Sequence, residues 1–238
     1  MRPIIPPTLH WAASLSLALA ALCGLWIAGD EARRPQKMWI MNLVWPLTAL
    51  FGSGLWLAAY YRWGRAASRE RAGVARRPLP FAVMVFKGAS HCGAGCALGD
   101  LIAEWVALAA PAVAVWFGWR SLFMEKMFAV WVLDFVLAFL FGVAFQYFTI
   151  APMRGLSPGA GLRAAAKADI ASIAAWQVGM YGVMAIIQFG WFRPAFGALA
   201  PVASPEFWFA MQLAMLAGFL TSYPVNWILI RSGLKERM

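Results

Sequence analysis

Long apolar runs separated by short basic stretches recur along the whole chain. They predict six membrane-spanning helices over about 9–29, 39–61, 87–116, 128–150, 169–192 and 207–230. Each run approaches or exceeds the roughly 20 residues needed to cross a hydrocarbon core. The first, apolar from Trp11 to Ala28, is longer than the roughly 7–15-residue core of a secretory signal, so it reads as a retained helix. The expected architecture is an all-α, polytopic bundle forming a single transmembrane domain over residues 1–238.

Loop charge sets the expected orientation. With six crossings, Arg2, Arg62, Arg65, Arg69, Arg71, Arg76, Arg77, Arg154, Arg163, Lys167, Arg231, Lys235 and Arg237 share one side. Arg33, Arg34, Lys37, Arg120, Lys126 and Arg193 fall on the other, and Lys87 opens the third span. This bias places both termini in the cytoplasm. The third segment is too long for one plain span, since sequence from Leu79 to Trp119 is broken only by Lys87, His91, Asp100 and Glu104. Leu79–Phe86 reads as an interfacial or pre-helical stretch, with Lys87 snorkelling to the headgroups. Gly88, Gly93, Gly95 and Gly99 either permit close helix packing or break the helix. Pro46 and Pro224 mark kinks in the second and sixth spans.

Composition agrees with the pattern. The chain is 63% hydrophobic and 13% charged, with mean hydropathy +0.68, against about 25% charged residues in soluble domains. Its fourteen Trp suit membrane interfaces. The net charge of +10 reports topology rather than nucleic-acid binding, because the basic residues sit in the short loops. Cys23, Cys92 and Cys96 are too few for a disulfide framework.

The candidate chemistry lies in the third span. Cys92, Cys96, Asp100 and Glu104 repeat every four residues, which on a helix draws one stripe turning about 40° and climbing about 6 Å per step. Thiols and imidazole are soft ligands suited to Cu(I) and also to zinc, so His91, Cys92 and Cys96 form the expected metal site. Asp100, Glu104 and Asp134 of the fourth span form an expected proton or ion path, because acids at membrane depth are costly and point to function. With no Arg or Lys inside any span, these acids are expected to be protonated, hydrogen-bonded, hydrated or bound to cations. The pairs Met180 with Met184 and Met211 with Met215 have the same spacing and are accessory thioether candidates. His10 and Cys23 of the first span read as structural. Gln146, Gln177, Gln188, Gln212, Asn42 and Asn226 read as interhelical hydrogen-bonding residues. No catalytic residue stands out.

Four blocks together resemble a family of bacterial six-pass membrane proteins catalogued as a domain of unknown function. They are Met41-Asn42-Leu43-Val44-Trp45-Pro46, Ser90-His91-Cys92-Gly93-Ala94-Gly95-Cys96, Phe145-Gln146-Tyr147-Phe148 with Pro152-Met153-Arg154-Gly155, and Leu220-Thr221-Ser222-Tyr223-Pro224-Val225-Asn226-Trp227. The resemblance implies an integral-membrane fold and carries over no activity. The leading expectation is a transition-metal transporter or metal-binding protein of the cell inner membrane. Copper is favoured as the ion, and the partners are the lipid bilayer, a metallochaperone or a second copy of the chain. The alternatives are a membrane thiol–disulfide oxidoreductase, or an accessory subunit holding haem or a pigment through His10 and His91.

Overall fold

In the computed structural model, residues 5–68 and 79–237 are described; Arg2, Arg69, Arg71, Arg76 and Arg77 of the charge argument lie outside them. The helices are α1 (Pro7–Arg33), α2 (Met41–Ala59, continued by a π-helical turn Tyr60–Gly64), α3 (Phe81–Ala109) and the short α4 (Ala112–Trp116). They are followed by α5 (Lys126–Arg154), α6 (Pro158–Ala185), α7 (Arg193–Phe196) and α8 (Pro205–Arg231). A π-helical stretch, Ile186–Phe192, joins α6 to α7 without a break. Among the described residues, six helical stretches are long and apolar enough to cross a membrane.

Local sequence explains the boundaries. Pro7, Pro158 and Pro205 open α1, α6 and α8, where a missing N–H costs nothing. Gly155 closes α5 at φ +59°, a conformation glycine adopts freely. The third span ends at Ala109, short of the expected position 116, because Pro111 forces Ala110 out of helical geometry. At its other end α3 runs unbroken from Phe81, so Leu79–Phe86 is not a separate pre-helix and Lys87 is buried inside the bundle. Its glycines serve packing. A Cβ on Gly95 would lie 2.9 Å from the Gly142 nitrogen, and one on Gly99 would lie 2.7 Å from the Ala138 nitrogen. The two backbones meet through small residues spaced four apart. Helix α6 starts at Pro158 rather than near 169, because Ala164, Ala165 and Ala166 sustain a helix too polar to register as a span.

The second apolar run folds back on itself. Ser53 has φ 45° and ψ −129°, a sharp reversal flanked by Gly52 and Gly54. A Cβ on Gly52 would lie 1.9 Å from the Trp56 ring, so only glycine fits that corner. Beyond it the chain returns beside itself: the Trp45 and Tyr60 rings are 5.7 Å apart, and the Lys37 N–H donates to the Ala67 carbonyl at 3.1 Å. Each arm, about a dozen residues, rises about 18 Å against the roughly 30 Å of hydrocarbon. Thus α2 is a re-entrant helical hairpin whose tip stops mid-bundle. The tip's freed Leu50 carbonyl accepts from Gln212 Nε2 at 2.7 Å. This satisfies a backbone group that lipid would leave bare.

This reversal changes the connectivity. Helices α1 and α8 are parallel neighbours, since His10 Nδ1 meets Glu206 Oε1 and the Ser16 hydroxyl donates to Gln212 Oε1, each at 2.7 Å. Helices α3 and α5 are antiparallel, with Lys126 by Ala107 and Thr149 by His91. Five helices therefore traverse the bundle and one hairpin enters and leaves by the same end. Pro7 and Arg231 lie at opposite ends, which corrects the expectation that both termini share a side. Among the described residues, one end gathers Arg33, Arg34, Lys37, Arg62, Arg65, Arg154, Arg163, Lys167 and Arg231. The other holds Arg120, Lys126 and Arg193. Folding the hairpin back moves Arg33, Arg34 and Lys37 to the basic side and sharpens the asymmetry.

Reporter proteins active on only one side of a membrane, fused in turn to the two ends of the chain, are expected to give opposite results. A chain with six crossings would give the same result at both ends.

Candidate polar column

Two clusters of ionisable side chains lie stacked along α3. The first is built on Cys92, which faces α6 and the segment after α8. Its Sγ lies 2.8 Å from Asp169 Oδ1 and 3.2 Å from Ser172 Oγ, and it accepts from Lys235 Nζ at 2.8 Å. Lys235 Nζ also donates to Asp169 Oδ1 at 3.2 Å. All four side chains are buried. Space for the carboxylate comes from Gly142, where a Cβ would lie 2.5 Å from Asp169 Oδ2.

Lys235 reaches this depth because the chain turns back after α8. Gly233 has φ +76°, and the Leu234 and Lys235 amides both donate to the Leu229 carbonyl. Arg154, at the end of α5, holds the turn by donating to Glu236 and to the Gly233 carbonyl. Burial pulls the Lys235 pKa down, but the Cys92 sulfur and the Asp169 carboxylate outweigh it and hold the ammonium above the ordinary lysine value. A group raised in this way contributes stability at every pH below its ordinary value and loses it as pH rises through the folded one. The contribution is therefore constant near neutrality and fades only in strong alkali.

The second cluster sits two turns further along α3. The Asp100 and Asp134 carboxyls are hydrogen-bonded to each other, which requires at least one proton between them. Asp134 Oδ2 also lies 2.6 Å from the Tyr181 hydroxyl and accepts from Gln177 Nε2 at 3.3 Å. Cys96, fully enclosed, lies between the clusters. One turn beyond Asp100, Glu104 borders a cavity of about 250 Å³ together with Lys126 and Gln188. From Cys92 to Glu104 the column rises about 18 Å.

The structure thus brings Asp100 and Asp134 into contact and places Glu104 above them. It does not join His91 to the thiols. His91 Nε2 lies 3.1 Å from the Thr149 hydroxyl on α5, and the ring packs edge-on to Phe145. Among the described residues no three His, Cys, Asp or Glu side chains are grouped so as to hold a metal ion. Met180 and Met184 are buried in the apolar core, while Met211 and Met215 border a cavity that reaches Asp100. His10 pairs with Glu206 at the end of the bundle away from His91's half, so the two imidazoles do not face one haem.

Sequence reasoning missed Asp169, Ser172, Tyr181 and Lys235. Asp169 is the first residue of a predicted span, where nothing in the sequence marks it as an intramembrane acid. Lys235 lies past the last predicted span, in the position of a loop charge. The expectation that no Arg or Lys lies inside a span is corrected by Lys87, buried within α3; Lys235 enters the bundle from beyond α8, and at the other end the Lys126 Nζ donates to the Ala107 carbonyl at 2.5 Å.

Lys235→Met strands a buried carboxylate and is expected to lower unfolding free energy by about 3–5 kcal/mol, and adding Asp169→Asn should recover much of it. Denaturant titration of the purified variants tests this. Additive losses in the double variant would mean that the pair is not coupled.

No curated protein and no solved structure matches the chain. One family does, over residues 83–235, a stretch that opens within α3 and closes on Lys235. It contains every member of both clusters and leaves out α1 and the re-entrant hairpin. Matched over well over half its length, the chain belongs to the family described as Domain of unknown function (DUF4396).

Proposed function

We propose that this protein is a multi-pass membrane transporter whose buried column carries protons and couples their movement to a cation. The observation that carries the reading is the enclosure, inside a bundle of membrane-spanning helices, of an ammonium, three carboxyls and a thiol in two hydrogen-bonded clusters stacked along α3 with Cys96 between them. Groups this costly to place at membrane depth persist where function requires them. Glu104 and Lys126 open the column at one end, and the Arg154–Glu236 contact closes it at the other. The Asp100–Asp134 pair stores a proton midway. The positive-inside rule puts the basic end in the cytoplasm, and the inner membrane is the location that fits.

Protein reconstituted into vesicles containing a pH-sensitive dye, with a potassium diffusion potential as the driving force, tests the path. Wild type is expected to acidify the lumen, and Asp134→Asn or Asp169→Asn to slow this about a hundredfold, as for loss of a positioned proton carrier. Wild-type rates in both variants would overturn the reading.

A second reading makes Cys92 and Cys96 the capture site for a soft cation, Cu(I) in preference to zinc, delivered by a metallochaperone. It is supported by the enclosure of both Cys92 and Cys96, one turn apart on α3, inside the bundle. Two sulfurs one turn apart suit Cu(I) better than zinc, which takes four ligands in structural sites. Elemental analysis of copper-loaded protein is expected to find copper bound to wild type and absent from Cys92→Ser/Cys96→Ser. Equal copper in both would rule the reading out.

A further inference from the structure

Beside the acid pair, at the tip of the re-entrant hairpin, lies a cavity of about 290 Å³ between α1, α2, α3 and α8. Most of its wall is apolar. Leu17 of α1, Phe51 of the hairpin tip, and Met211 and Met215 of α8 form the sides. Trp105 of α3 and Trp208 of α8, their rings stacked at 6.2 Å and 14°, form one end. Trp105 is 48% exposed on the lipid-facing surface, so that end borders the membrane. The polar groups of the wall are Gln212, whose amide is already engaged by Ser16 and the Leu50 carbonyl, and Asp100. Asp100 is 2% exposed, and among the described residues its one side-chain hydrogen-bond partner is Asp134.

Charge decides what such a cavity accepts. With one proton between them the two carboxyls retain one negative charge, and none of the residues around the cavity is basic. The ammoniums lie elsewhere: Lys235 is paired with Asp169, half-buried Lys126 donates to the Ala107 carbonyl beside Glu104, and buried Lys87 sits more than three turns from Asp100 along α3. A carboxylate enclosed by indole, phenyl and thioether groups is the surrounding that organic ammonium ions prefer, since aromatic faces attract cations and a buried charge needs a partner. A metal ion is disfavoured, because a wall of this kind offers it one carboxylate and little else that is hard.

We propose that this cavity is a binding site for a small organic ammonium ion, which enters from the membrane at the Trp105–Trp208 end and places its charged nitrogen against Asp100. The site goes beyond the proton column, with which it shares Asp100. The aromatic end receives the apolar body and the hairpin tip closes the inner side.

Calorimetric titration of the purified full-length protein with benzyltrimethylammonium tests the proposal, with neopentylbenzene, the same shape without the charge, as the comparison. Saturable one-to-one binding of the cation is expected, with neopentylbenzene binding more weakly. Asp100→Asn should weaken the cation about tenfold or more, the scale of a lost hydrogen bond or contact to a charged group. Leu17→Trp, a filling substitution at a partly exposed position, should block both compounds, and it keeps the test decisive if Asp100→Asn fails to fold. Unchanged cation affinity in either variant, or equal affinity for the two compounds, would overturn it. The titration uses no pH gradient, so its outcome is separate from that of the vesicle assay.

Discussion

The cost of placing charge away from water governs this molecule. An ammonium or carboxylate inside a helical bundle is tolerated only when another charge or several hydrogen bonds compensate it, and the charged groups of the two clusters have such compensation. Lys235 and Asp169 neutralise one another across Cys92. Asp134 is held by Asp100, Tyr181 and Gln177. Even the carbonyl released where the hairpin turns is taken up by Gln212. The apolar exterior sets the need for a membrane, and this interior compensation determines how the helices are arranged within it.

The same constraint explains why the hairpin reaches only mid-depth. A reversal exposes backbone, and backbone is tolerated at membrane depth only where protein surrounds it. Leu50 to Ser53 pack against α1, α6 and α8, Phe51 and Gly52 buried, with Phe51 edge-on to Trp176 at 5.7 Å. Asp30 near the end of α1 accepts from the returning Tyr60 hydroxyl at 2.8 Å, which pins the second arm at the basic end.

Much of this was legible in the residues. Hydropathy located every long apolar segment, and the four-residue spacing put Cys92, Cys96, Asp100 and Glu104 on one inward stripe. The reversal was not legible, because hydropathy averages over a window and does not register one serine between two glycines. It took with it the topology inferred by counting crossings. Lys235 was hidden for a related reason: a lysine beyond a span looks like a loop charge unless the turn at Gly233 is known to return it. Partners such as Tyr181 for Asp134 belong to other helices, and spacing along one helix carries no information about them. His91 was read with its chain neighbours, yet its environment is set by Thr149 across the α3–α5 contact.

The close approach of Gly95 and Gly99 to Ala138 and Gly142 leaves no room for side chains to slide past one another. Helices α3 and α5 accordingly behave as one rigid unit carrying Cys92, Asp100, Glu104 and Asp134. Asp169 and Tyr181 ride on α6, and Lys235 follows α8. Any rocking of these two groups against the α3–α5 unit would pull the thiol away from its ammonium and Asp134 away from its phenol in a single stroke. The mechanical seam of the bundle is therefore also the plane along which its charge pairs are divided.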